Sequence, residues 1–453
     1  MNTTTKNNLL LNFTKLFTLL LLITGCKNNR EHIQVNSNQY HSLIDKVMEI
    51  MVHDVYSPPV ASRIFVYPNI ASYEIISQNN KKYKSLNGQI NSLNFSEIPE
   101  ENNNVNKELS ALIGYLDVAK ELVFSKNEII KHRDSLYGLW KSKNEKEFLA
   151  SEKYALKISS QIIAWMSKDF YSDTRTMADY NIYGNDPSRW EPTPPAYMKG
   201  IEPNWNKIRT MVMDSASQFK PKPHPKFSLD NDSDFYKNLM VVYNVNLDMK
   251  RKGNNSAEIA IARFWDCNPF VAVNKGHFMF AEKKITPGAH WIGICKIACK
   301  KTNSNLEKTI YAYTKTSLAV FESFISCWDE KYRSNLIRPE TLINKYIDES
   351  WAPILQTPPF PEYTSGHSVV SGASSEVLTK IFGDNFYFDD DTEVPYGLPV
   401  RSFNSFREAA QEAAISRLYG GIHYKFAIEE GLNQGQNLGD YINKKIDFLN
   451  TDS

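Results

Sequence analysis

The chain has 453 residues, 42% of them hydrophobic and 12% aromatic, which is enough to bury a large core and by length alone allows two or three domains. Its 52 basic and 51 acidic side chains leave a net charge of +1, so nothing in the balance points to a nucleic-acid partner. Beyond residue 26 no uninterrupted apolar stretch reaches the length that spans a bilayer, which sets the chain apart from multi-spanning helical membrane proteins.

In chain order, Lys6 and Lys15 precede an apolar run from Leu16 to Ile23 that is too short to cross a membrane, and Ile23-Thr24-Gly25-Cys26 follows. This segment resembles a bacterial lipoprotein signal. The resemblance implies a signal segment over 1–26 that ends at the lipobox, with cleavage before Cys26 and acylation of its thiol and new amine, so that Cys26 alone anchors to the membrane a single domain over 27–453. Lys27 stands where an Asp would retain a lipoprotein at the inner membrane, which favours attachment in the outer membrane, facing the periplasm or the surface.

Periodicity predicts helices around 38–55, 107–133, 143–168, 232–250, 255–265, 304–330, 367–382, 404–420 and 426–446, and strand signals are sparse. The expected fold is therefore an all-α helical bundle. Ser405 with Glu408 reads as a capping box opening the 404–420 helix, whose Ala409, Ala410, Ala413 and Ala414 permit close contact with a neighbour. The Asn-rich stretch 79–106 reads as exposed loop, and the Pro- and aromatic-rich stretch 183–225 as an irregular excursion across the bundle and part of a pocket rim. Cys267, Cys295, Cys299 and Cys327 show neither disulfide-framework nor zinc-ligand spacing and read as buried thiols, although an oxidising periplasm would permit a disulfide.

The chemistry concentrates between Lys331 and His423. Lys331, Arg338-Pro339, Ser365-Gly366-His367, Ser416-Arg417 and His423 each read alone as surface charge, turn or packed ring. Together they suit a tetrahedral oxyanion. Guanidinium forks match its oxygens, the lysine adds a point charge, and a helix beginning near Ser368 would aim free N–H groups and a positive dipole end at it, with Gly366 allowing close approach.

These blocks, in this order and at these gaps, resemble the type 2 phosphatidic acid phosphatase and vanadium-dependent haloperoxidase superfamily. A weaker upstream likeness, in Phe264-Trp265-Asp266, Thr286-Pro287-Gly288 and His290-Trp291, is to the haloperoxidase branch, with bacterial, iodide-oxidising members most similar. The similarity covers roughly the second half of the chain, with the core of the site in about 260–446. It implies a vanadate cofactor bound through His423 to vanadium, with Lys331, Arg338, Ser365, Gly366 and Arg417 on its oxygens. His367 would then be the acid–base that takes a proton from hydrogen peroxide while a halide leaves as hypohalous acid. Asp266 is expected to orient His367, and Phe360 and Trp328 to shape halide access. In the phosphatase alternative the pocket holds phosphate, His423 is the nucleophile and His367 protonates the leaving alcohol. An oxyanion-binding lipoprotein would use the cations without needing both histidines. Two departures from the family pattern stand out: Thr364 replaces a proline before Ser365, and Ala427 replaces an aspartate that would support the ring of His423, leaving the partner of Nδ1 unassigned. No oligomeric state follows from the sequence.

Overall fold

Two helices buried on every side run through the middle of the molecule, and the remaining helices pack around them. The computed structural model describes residues 31–253, 256–269, 272–275, 278–281 and 284–450, so Cys26 and the expected signal segment lie outside the described residues. Helices of eight residues or more are α1 (Ser37–Asp54), α2 (Pro58–Ser77), α3 (Lys107–Ala119), α4 (Lys126–Lys143), α5 (Glu145–Met166), α6 (Asp234–Lys252), α7 (Ala257–Phe264), α8 (Pro287–Lys301), α9 (Leu306–Ser334), α10 (Pro339–Tyr346), α11 (Gly366–Phe382), α12 (Phe406–Tyr419) and α13 (Lys425–Lys445). Strands among the described residues form two short antiparallel hairpins, β1 (Ala272–Lys275) with β2 (Phe278–Ala281) and β3 (Phe388–Asp390) with β4 (Arg401–Phe403), with Phe388 opposite Phe403 in the second. The architecture is the all-α bundle that periodicity predicts. No helix among the described residues is long and apolar enough to cross a membrane.

The central pair are α2 and α9. Helix α9 starts at Asn305, whose side chain accepts from Lys308 N–H, and every residue from Thr309 to Lys331 is buried. Helix α2 starts at Ser57 with Pro58 in its first turn, and all its residues are buried. A helix enclosed on all sides carries no polar stripe, so α2 gives no amphipathic period to read, and it is absent from the predicted helices. Helices α8 and α10 were likewise not predicted.

Three further expectations are corrected by tertiary contacts. The predicted helix 107–133 is two helices, broken where Asp54 takes the Ser125 backbone N–H at 2.9 Å and the Ser125 hydroxyl as well. The stretch 79–106 is exposed only in part: Tyr83, Leu86, Ile90 and Leu93 are buried, and Glu74 accepts the Leu86 N–H at 2.6 Å. Glu408 reaches back to the N–H of Asn404 at 2.6 Å, not to that of Ser405, while Ser405 caps the Glu408 N–H as predicted. The excursion 183–225 is irregular, as read, and Glu322 of α9 pins it by accepting the N–H groups of Met211, Val212 and Met213 at 2.6, 3.2 and 2.7 Å. The four described cysteines are free, buried thiols.

Helices α11 and α13 meet backbone to backbone. A Cβ built at Gly435 would lie 2.1 Å from the Val369 carbonyl oxygen, and one at Gly372 would lie 2.6 Å from the Leu432 oxygen, so only glycine fits at either position.

Candidate active site

The loop 360–365, the start of α11 and the turn between α12 and α13 converge on one small pocket. Gly366, His367, Arg417, Ile422 and His423 line it, together with Trp328, Phe324, Phe360, Pro58, Pro287 and the turn Asp266–Asn268 after α7. Arg417 sits in the last turn of α12; Gly421, at a φ of 76° that favours glycine, then turns the chain so that His423 enters before α13 begins.

His423 is 2% exposed, and its Nδ1 lies 2.7 Å from Glu362 Oε1. Glu362, which the sequence reading did not single out, also accepts the Tyr424 N–H at 3.0 Å, and it fills the role left open by Ala427. With Nδ1–H donating to the carboxylate, Nε2 keeps a lone pair, and Arg338 Nη1 donates to it at 3.2 Å. Burial and the neighbouring Arg338, Lys331 and Arg417 hold the imidazole well below its usual pKa, so the neutral, ligand-ready form prevails at neutral pH. Ala427 contributes through its carbonyl, which accepts the Ser365 N–H at 3.1 Å.

The cations are fixed by backbone carbonyls. Arg338 donates from Nε to Phe360 O at 2.9 Å and from Nη1 to Ile422 O at 2.8 Å, while its buried Nη2 has no hydrogen-bond partner. Arg417 is held by Ser416 Oγ and by the Trp265 carbonyl at 2.6 Å. Lys331 spends its donors on the carbonyls of Pro361, Glu362 and Thr364, so in this structure it braces the loop that carries Glu362 and lends the pocket its charge. Burial pushes Lys331 down to about 8 and each arginine down to about 10. Phe360 lies between Lys331 and Arg338, with each cation 5.1 Å from its ring centroid, and packs on Trp328 at 5.0 Å. Trp328 is tied to the 183–225 excursion by its indole N–H on Ile201 O at 3.1 Å; that excursion supports the wall without lining the pocket.

Ser365 caps α11 by accepting the Ser368 N–H, which leaves its hydroxyl hydrogen to donate elsewhere. A Cβ at Gly366 would meet only ordinary contacts, at 3.7 Å from Trp328 and 4.0 Å from Lys331, so the glycine keeps room beside the first-turn N–H groups where no protein atom demands it. His367 is bound to the Trp265 backbone carbonyl, and its buried Nε2 has no partner. Burial and the Arg417 charge hold its ring well below the usual value. The expectation for Asp266 is corrected: it lines the pocket, but its carboxylate pairs with Lys284 at 2.6 Å while a carbonyl orients His367.

Three buried cations, with Glu362 engaged by His423 and Asp266 by Lys284, an orphaned guanidinium nitrogen and a free helix start fit a multiply charged oxyanion such as vanadate. His423 Nε2 and His367 Nε2 both belong to this pocket. A buried set, Cys267, His290 and Glu393, adjoins the pocket through Cys267 and corrects the expectation that no metal-type ligands accompany the cysteines; the three are too far apart in the chain to form a motif.

No curated protein matches the chain. Residues 344–451 match the family model described as the VCPO second helical-bundle domain. Among solved structures, a bacterial vanadium-dependent iodoperoxidase is 57% identical and superposes with a TM-score of 0.89, covering 93% of this chain and 100% of its own. Holo-type and apo-type bacterial vanadium-dependent chloroperoxidases share the fold at 16% identity, with TM-scores of 0.63 and 0.65, covering 89% and 85% of this chain and 92% of each of theirs. Identity of that extent, along the full length of a relative whose fold coincides, leaves no second family to consider, and the chain belongs to the bacterial vanadium-dependent haloperoxidases.

Proposed function

We propose that this haloperoxidase uses iodide as its halide, converting hydrogen peroxide, iodide and a proton to hypoiodous acid and water. The observation that carries the reading is the wall of the pocket: Trp328, Phe324, Phe360, Pro58 and Pro287 face the cationic floor. Iodide is the large, weakly hydrated, polarisable halide, so it loses least on leaving water for an aromatic wall with cations behind it. Identity to an iodoperoxidase supports the same choice.

His423 Nε2, Arg338, Arg417, Ser365 and the Gly366 N–H would hold vanadate, with Lys331 lending its charge nearby, and the bound group would supply a Lewis acid that keeps its oxidation state. Glu362 orients His423 and strengthens its Nε2 as a ligand. His367 Nε2, unprotonated at neutral pH, accepts a proton from entering hydrogen peroxide and returns it to the oxygen that departs as water. The aromatic wall excludes bulk water and so protects this proton from exchange.

The domain 27–453 acts, in this reading, as one unit tethered to the outer membrane through the acylated Cys26 that precedes it. Protein lacking residues 1–26, incubated with orthovanadate, is expected to form triiodide from iodide and hydrogen peroxide, and to prefer iodide over bromide. Hydrolysis of an aryl phosphate without vanadate, and no halide oxidation with it, would overturn the assignment in favour of a phosphatase. Full-length protein expressed in a bacterium is expected to incorporate labelled palmitate and to fractionate with outer membranes, and Cys26→Ala to lose both; unlabelled protein would refute the anchor.

A further inference from the structure

Under the indole of Trp265, which stacks on His290 with centroids 4.4 Å apart, four side chains from separate parts of the chain meet out of solvent. Cys267 follows α7, His290 lies in the first turn of α8, Asp390 ends β3, and Glu393 lies in the connection to β4. Cys267 Sγ is 3.4 Å from His290 Nδ1 and 3.7 Å from Glu393 Oε1, and His290 Nδ1 is 3.2 Å from that same oxygen. Their exposures are 1%, 0% and 3%.

Those three distances come within about 0.1 Å of the donor spacings of a tetrahedral metal site. Tetrahedral zinc bound at about 2.3 Å to sulfur and about 2.0–2.2 Å to nitrogen and oxygen places neighbouring donors about 3.3–3.6 Å apart. The second shell agrees. His290 Nε2 lies 2.8 Å from both Asp390 Oδ2 and the Thr392 hydroxyl oxygen; with the proton on Nε2 facing the carboxylate, the Nδ1 lone pair is turned towards Cys267 and Glu393. Asp390 is itself held by the Thr392 N–H at 3.0 Å and its hydroxyl at 2.6 Å. A lone pair facing a carboxylate at 3.2 Å is repelled unless something positive lies between them, so the site holds either a proton shared by His290 and Glu393 or a metal ion. With a proton there, Cys267 makes two long sulfur contacts, at 3.4 Å to His290 and 3.7 Å to Glu393, whereas a metal binds all three atoms directly.

We propose that Cys267, His290 and Glu393 bind a zinc ion, with a water molecule in the fourth position and Asp390 orienting the histidine. The mixed sulfur, nitrogen and oxygen set suits a borderline-soft divalent ion. Binding displaces the Cys267 thiol proton to solvent, leaving the thiolate as ligand. The ion ties α8 and the β3–β4 connection to the turn after α7. There the Trp265 carbonyl holds both His367 and Arg417, so zinc would set the back of the vanadate pocket while touching no reactant.

Protein purified without chelators is expected to contain one zinc ion per chain by elemental analysis, whether or not vanadate is present. Exchange for cobalt(II) should produce a thiolate-to-cobalt charge-transfer band in the near-ultraviolet that Cys267→Ser abolishes and Cys295→Ser preserves. Wild-type protein that stays folded yet takes up neither ion would overturn the proposal in favour of a protonated histidine clamp. Cobalt uptake without the sulfur band would overturn this ligand set. Both decisive measurements use the unmodified sequence, so a misfolded variant does not blunt them.

Discussion

The two imidazoles of the pocket rest on different acceptors. His423 gives its Nδ1 proton to the buried carboxylate of Glu362, whereas His367 is tied to the peptide carbonyl of Trp265. A carboxylate adds negative charge behind the ring and makes Nε2 a stronger donor to a Lewis acid. A carbonyl fixes the tautomer without adding charge, which leaves a ring able to take up and release a proton. Burial and nearby cations hold both rings well below their ordinary pKa, so what distinguishes the proposed ligand, His423, from the proposed acid–base, His367, is the group behind each ring.

Mutations can break that contrast. His423→Ala should abolish both halide oxidation and vanadium retention after gel filtration; retained vanadium would mean that the cations suffice. His367→Ala should keep vanadium and lose roughly 10²–10⁴-fold in kcat, the usual worth of a positioned acid–base. Equal vanadium loss in the two variants would erase the distinction. Glu362→Gln preserves the shape of the contact and removes its charge, and equilibrium dialysis should show vanadate affinity reduced roughly 10–100-fold. Unchanged affinity would make Glu362 a spacer only.

The smallest effect sharpens the contrast through pH. An unfolded chain protonates each imidazole near its ordinary pKa of about 6.5, but the folded rings refuse the proton until the pH is well below that. Each ring therefore contributes stability that is lost as pH falls below about 6.5, with a slope approaching about 1.4 kcal/mol per pH unit. Glu362 works in the opposite sense. Burial raises it to about 7, so between that value and its ordinary range the folded state binds the proton first and gains stability as pH falls. Urea midpoints of vanadate-free protein, taken stepwise from neutral to mildly acidic pH, should show a shallower loss for His367→Ala and a steeper one for Glu362→Gln. Matching slopes in both variants would contradict the assigned shifts.

The sequence makes the cationic half of the site legible because Lys331, Arg338, Ser365, Gly366, Arg417 and His423 come in short local blocks whose spacing survives folding. Glu362 is hidden for the opposite reason. It lies 61 residues before the ring it supports, in a Pro- and aromatic-rich loop with no period, and only the fold brings the two together. The same holds for Cys267 and Glu393, which are 126 residues apart. At the level of helices, amphipathic segments such as α13 are visible, whereas α2, buried all round, is not. The break after α3 depends on Asp54, far upstream, and no local propensity encodes it.

The glycine contacts between α11 and α13 have a bearing on how this enzyme tolerates change. Helix α11 begins at Gly366 and carries His367, and α13 begins two residues after His423, so the thickness of two bare peptide chains gauges the separation of the two rings. A single methyl group at position 435 would act as a wedge, and its cost would be felt in the reach from one imidazole to the other before it was felt in the fold.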